Sequence, residues 1–235
     1  MIPKVIFKFD KNKDLRNIWK TCNSKLSWGH DFKKNIPKEV IRICKGKKFE
    51  KCKKELENST KAWRNINLIK IQISTLNKAW KTIEKEYFQR LKKITKKSFP
   101  CKEIYSYLTT SPRCPYNPNG KIPYFYFPFF TGLPSILHTA GHEIMHIQVH
   151  KDFWRKIKKE IGDKKTHDIK EALTILLNLE FIDLWGVVDR GYPNHQKLRE
   201  YIKKQWKKKK DFNILLDKCI KYIKNNNDKR NNQTR

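Results

Sequence analysis

Residues 122–141, "IPYFYFPFFTGLPSILHTAG", carry no charged side chain, and they run directly into "HEIMHIQVH", where Glu143 is the one acidic or basic residue apart from the histidines. The surrounding chain is the opposite. Its 235 residues hold 54 Lys and Arg against 23 Asp and Glu, a formal net charge of +31. Unpaired ammonium groups are too costly to bury, so the nearly neutral stretch is the part of the chain that can supply a buried centre, with charge pushed outward. Its length approaches that of a bilayer span. Pro123, Pro128 and Pro134, with Gly132 and Gly141, break it too often for a lipid-exposed helix. The expected structure is a buried aromatic strand at "YFYFPFF" followed by a helix that opens near Pro134, with a membrane-surface contact as the alternative.

That helix carries His138, His142, His146 and His150 at a spacing of four. Four residues overshoot a helical turn, so the series drifts by about 40° per step and only an adjacent pair can share one ion. His142 and His150 lie about 12 Å apart along the axis, too far to be ligands of the same metal. The pair His142 and His146 is marked out by Glu143, which makes "HEIMH" an H-E-x-x-H motif. In that pattern two imidazoles at i and i+4 converge on zinc, and the Glu lies on the side of the metal's water as a general base. The bland alternative, a satisfied pair of core histidines, gives no reason for an acidic residue on a helix that is apolar at Ile136, Ala140, Ile144 and Ile147.

A zinc site needs a third protein ligand. The candidates downstream are His150, His167, Glu171 and Glu180. A straight helix rules out His150. Glu171 opens the otherwise apolar run "KEALTILLN", where a lone carboxylate needs a partner, and Glu180 sits about 180° further round the same helix. Glu171 is therefore the expected ligand and Glu180 the fallback.

"HEIMH" followed by "KEALT" resembles the gluzincin type of zinc metallopeptidase, in which a Glu on a second helix completes the site. The resemblance implies Zn2+ held by His142, His146 and Glu171, with Glu143 as general base and a peptide or protein as substrate. It covers about 45 residues and departs from many members at Thr174 and Ile175, where they carry an acidic residue. The implied fold is α+β, mainly helical and zincin-like. It has an HExxH active-site helix, a second helix carrying the Glu ligand and a short aromatic-rich strand region. Tyr192 and His195, in the turn "DRGYPNHQ" after the Glu171 helix, are candidates for stabilising an oxyanion. The "YFYFPFF" strand is a candidate edge for pairing with an extended peptide.

Elsewhere the pattern is helical. "KVIFKF" at 4–9 alternates as a strand does, and helices are expected at 10–22 and 38–57. Apolar residues from Ala62 to Ile94 step by four and three, predicting one long helix at about 59–97; a strand at "IKIQIS", 69–74, is the competing reading. Further helices are expected from Asp168 to about Trp185, to about Lys208, and over 211–224. The organisation expected is a basic, mainly helical region over 1–100, a zincin-like catalytic region over 101–224, and a disordered tail over 225–235. Basic residues outnumber acidic ones 28 to 9 in the first hundred residues and 3 to 2 in residues 101–150. This admits a nucleic acid or other polyanion as a partner, bound away from the zinc. None of the six cysteines forms a C-x-x-C pair, and "MIPKVIFKFD" has no apolar core of a secretory leader, so reduced thiols in the cytoplasm are expected. A Cys101–Cys114 bridge is the alternative. Two other classes share the same histidines: a basic nucleic-acid-binding protein with a structural zinc, and a catalytically silent zincin-like scaffold.

Overall fold

The computed structural model describes residues 2–25 and 30–232. The chain is α+β and mainly helical. Strand β1 (Lys4–Phe9) leads into helix α1 (Lys11–Cys22), whose N-terminus is capped by the Asp10 side chain. Helices α2 (Lys38–Cys44) and α3 (Phe49–Ser59) follow. They pack with α1 around Leu15, Ile18, Val40, Ile43 and Leu56, an apolar cluster separate from the main core.

The long helix α4 spans Ile66–Thr95. It is shorter than the heptad pattern predicted. Asn65 accepts hydrogen bonds from the amides of Asn67 and Leu68, so the helix starts there, and Lys61–Trp63 form a separate 3-10 turn. A side chain that satisfies the first free amides outcompetes one further apolar match. At the other end Lys96 turns left-handed, with φ of 58°. The segment 69–74 is helical, and Ile69, Leu76, Trp80, Tyr87 and Leu91 bury their side chains along one stripe.

Strands β2 (Glu103–Thr109), β3 (Tyr116–Asn117) and β4 (Tyr124–Pro128) complete a sheet of order β1-β2-β4-β3. The pairs β1–β2 and β2–β4 are parallel, and β3 runs antiparallel to β4. One face presents Val5, Phe7, Ile104, Leu108, Phe125 and Phe127 to the core. α4 lies along β1 and supplies what its edge lacks. Asn77 accepts from the Phe7 amide and donates to its carbonyl, and Glu84 accepts from the Val5 amide. A boundary at residue 100 therefore does not divide the molecule: β1 and α4 build the same sheet and core as the residues after it.

Helix α5 (Leu133–Asp152) packs on β4 and α4, and its residues from Ile136 to Val149 are largely buried. α6 (Trp154–Ala172) kinks at Gly162, where φ is 76°, and its second part ends on Glu171 and Ala172. α7 (Ile175–Glu180) is set off from it by a turn at Leu173–Thr174, so the single helix expected from Asp168 to Trp185 is two short pieces. α8 (Gln196–Lys208) and α9 (Phe212–Asn232) close the fold. α9 runs through most of the stretch expected to be a disordered tail, and 233–235 lie outside the described residues. No helix among the described residues is long and apolar enough to cross a membrane.

Candidate metal centre

Gly141 lets α5 approach its neighbours. A Cβ there would lie 2.5 Å from the Trp185 ring and 3.2 Å from that of Tyr87, and the Tyr87 hydroxyl donates to the Gly141 carbonyl at 2.6 Å. This contact fixes the turn of α5 that carries His142. One turn further is His146, with the two imidazole centroids 4.3 Å apart. The end of α6 brings Glu171 across from both. Its Oε2 lies 3.1 Å from His146 Nε2 and 3.8 Å from His142 Nε2. Ligands held about 2.0–2.2 Å from a tetrahedral ion stand roughly 3.3–3.6 Å from one another. The two distances bracket that value, and the three donor atoms all lie within 4.8 Å of each other. The three residues could hold a metal ion.

His142 is oriented by a residue the sequence did not single out. Its Nδ1 donates to Asp189 Oδ2 at 2.7 Å, which leaves Nε2 free to face Glu171. Asp189 is itself held. Thr174 Oγ1 donates to its Oδ1, Arg199 Nη2 lies 2.9 Å from the same oxygen, and Asn178 bonds its backbone on both sides. Arg199 is 2% exposed and also donates to Thr174 Oγ1 and to the Asp189 carbonyl. It packs flat on Gly191, where a Cβ would meet its side chain at 2.7 Å. Thr174 is the position where the resemblance leads one to look for an acidic partner. Here the carboxylate comes from the later loop, and Thr174 helps hold it. His138 Nε2 stands 3.4 Å from Asp189 Oδ2, the oxygen that His142 also faces.

These contacts set the charge states. Burial alone depresses His142, but the charge of Asp189 and its hydrogen bond override it and lift the pKa to about 9. His146 is dominated by burial and falls to about 3. Burial opposes ionisation of Glu171, yet His146 and Lys170 outweigh it and hold the carboxyl well below its usual range. The Lys170 ammonium, 3% exposed, sits 2.7 Å from Glu171 Oε1 and so leaves Oε2 to the histidines. Glu143 is different. Burial pushes it up to about 7, and its Oε2 is buried without a hydrogen-bond partner.

A cavity of about 540 Å³ opens on this group, lined by His142, Glu143, His146, Lys170, Glu171 and Tyr192, with Cys114 and Tyr116 on the strand side. Tyr192, expected near the site, is on its wall. Burial, with Glu171 and Glu143 nearby, keeps its phenol protonated. His195 is not on the wall. It is buried, with Nε2 3.1 Å from Asp168 Oδ1, so the short 3-10 turn that exposes Tyr192 turns His195 into the fold. Glu180 is remote: it accepts from Trp206 Nε1 and pairs with Lys210, beside a separate charged groove under α4. His150 and His167 reach the cavity but flank the Trp154 ring and do not join the His142, His146 and Glu171 group. The free edge expected on β4 is partly taken by β3, through Tyr116 and Asn117, so β3 is the strand that borders the cavity. Cys101 and Cys114 are both free thiols.

No protein-family model matches the chain, and comparison with curated proteins and with solved structures gives no match either.

Proposed function

We propose that the chain is a zinc-dependent metallopeptidase of zincin-like design, with His142, His146 and Glu171 as metal ligands. The observation that carries the reading is Glu143: a buried carboxylate on the cavity wall with an unpartnered oxygen, next to three donors that converge at ligand spacing. A purely structural site has no use for such an acid, and among the described residues no fourth His, Cys, Asp or Glu joins the three to close the coordination shell. That favours the peptidase over a structural zinc in a nucleic-acid-binding protein.

When bound, zinc supplies a Lewis acid that polarises a scissile carbonyl and makes water acidic. Glu143, a carboxylate on the cavity wall, would take a proton from the attacking water and pass it to the leaving amine. Tyr192, a protonated phenol on the same wall, donates to the oxygen that gains charge. Asp189 and Arg199 hold His142 in the tautomer that presents Nε2. The substrate class is a peptide or protein segment lying beside β3. Six thiols, all reduced, suit a cytoplasmic protein.

The test is metal analysis of the purified chain together with cleavage of a peptide library by parent and Glu143→Gln. One zinc per chain in both, with cleavage by the parent alone, is the expected result. A parent without zinc, or a Glu143→Gln variant that cleaves as fast as the parent, refutes it.

A further inference from the structure

The sheet has a second face, turned away from α4 and α5. On β2 and β4 it carries Tyr105, Tyr107, Tyr124 and Tyr126, and the parallel register sets Tyr105 beside Tyr124 and Tyr107 beside Tyr126. The rings touch in sequence, with centroids 5.5 Å apart for Tyr107 and Tyr124 and 5.9 Å for Tyr124 and Tyr126. α1 covers the Thr109 end of this face through Asn17 and Asp14, which bond Thr109 and Thr110. Tyr105 and Tyr124, at the other end, stay half-exposed.

Basic groups frame that open end. Lys8 Nζ lies over the Tyr105 ring at 3.0 Å, and Lys13 Nζ lies 4.4 Å from the Tyr124 centroid and 4.7 Å from that of Tyr107. The three parallel strands start at the same edge, where Lys4, Lys102 and Lys121 are exposed. Glu103 and Asp10 are acidic residues close to Lys8. This surface is unlike the lysine-studded helices elsewhere in the chain. It pairs two half-exposed aromatic rings on neighbouring strands with ammonium groups at their rims.

We propose that this tyrosine–lysine face binds single-stranded nucleic acid, independently of the metal centre. Two successive bases stack on Tyr105 and Tyr124, and Lys8 and Lys13 move from the ring faces to the flanking phosphates. A duplex hides its base faces and offers only phosphates, so it gains nothing from the rings. Charge complementarity with a chain of net charge +31 supplies the attraction, and the rings supply the preference for unpaired bases.

The test is fluorescence anisotropy of the full chain with short labelled oligothymidylate, oligouridylate and a duplex of matched charge, at low and moderate salt. Single strands are expected to bind more tightly than the duplex, and the DNA and RNA arms show whether the ribose matters. Replacing both rings, Tyr105→Leu with Tyr124→Leu, is expected to weaken single-strand binding by about tenfold or more while leaving duplex binding in place. Tyr105→Phe with Tyr124→Phe keeps the rings and is expected to bind like the parent. Photo-crosslinking of oligothymidylate to the parent chain reads the site without any substitution and is expected to label the peptides holding Tyr105 or Tyr124. Equal binding of single strand and duplex, unchanged binding after loss of both rings, crosslinks confined to other segments, or no binding at low salt each overturns the proposal.

Discussion

Replacing Asp189 by Asn should weaken the candidate metal centre without removing any of the three proposed ligands. In the parent, Asp189 Oδ2 accepts from His142 Nδ1 at 2.7 Å, while Oδ1 takes Thr174 and Arg199. An asparagine has one oxygen and one amide group to offer the same two sides. The Arg199 guanidinium, a donor only, claims the oxygen. The NH2 group is left facing His142 Nδ1, which must then accept. The imidazole proton moves to Nε2, the atom that faces Glu171 at 3.8 Å. Loss of such a partner weakens metal affinity by about 10- to 100-fold, or about 1.4–2.7 kcal/mol. The fold should survive, because Arg199 keeps the Thr174 hydroxyl and the Asp189 carbonyl as acceptors. Taking away the charge that matches the buried Arg199 should cost about 3–5 kcal/mol of stability. Zinc affinity is measured by competition with a chelator. The tautomer is read by long-range 1H–15N NMR of the zinc-free proteins above pH 9, where the raised pKa of His142 leaves the parent ring neutral with its proton on Nδ1. A variant that binds zinc within twofold of the parent, or keeps the ring proton on Nδ1, would show that Asp189 does not set this ring.

Three further expectations rest on separate contacts. Glu171→Ala should lower zinc occupancy, whereas Glu180→Ala should leave it intact and cost the Trp206 hydrogen bond and the exposed pair with Lys210, about 1–3 kcal/mol in all; equal zinc loss in both would sink the ligand assignment. Asn77→Ala should destabilise the fold by about 1–3 kcal/mol and speed exchange of the Phe7 amide, since both bonds to the β1 edge disappear; unchanged exchange would mean that the edge is held by something else. Gly141→Ala should be net destabilising in thermal unfolding, because overpacking against Trp185 at about 1–3 kcal/mol outweighs the gain of about 1 kcal/mol in helix propensity; a raised melting temperature would contradict the tight approach.

The part of the site written on one helix was legible. His142, Glu143 and His146 depend only on the pitch of α5, and the uncharged run around them made that helix buried before any tertiary contact was known. Glu171 was legible for a related reason: one carboxylate at the head of an apolar run needs a partner. Asp189 gave no such signal. It lies in a loop between Gly186 and Gly191, both at positive φ, and "DRG" reads as an ordinary turn. Its role depends on a buried arginine ten residues later and a threonine fifteen residues earlier, a convergence without any periodicity. β2 was a different kind of omission. Ile104, Ser106 and Leu108 alternate with Tyr105 and Tyr107, which is a strand pattern, but Pro100, Pro112, Pro115 and Pro118 on either side obscure it.

The charges buried at the centre explain why His142 is raised, whereas burial depresses His146. Glu171 and Asp189 are each matched by a buried cation, Lys170 and Arg199. Glu143 has no such partner. With all three acids ionised and both histidines neutral, the group carries one uncompensated negative charge in a site largely shut off from water. Two responses are open to it: Glu143 can hold a proton, or His142 can, and each has a pKa raised toward that end. A divalent cation between His142, His146 and Glu171 is a third response, and it removes the need for either proton. If that cation is the proposed zinc, its charge would favour ionised Glu143, the state that can accept a proton from water. Under the proposed zinc reading, ligand and general base would be coupled: a metal taken up by His142 in place of a proton would leave the neighbouring glutamate free to act as a base.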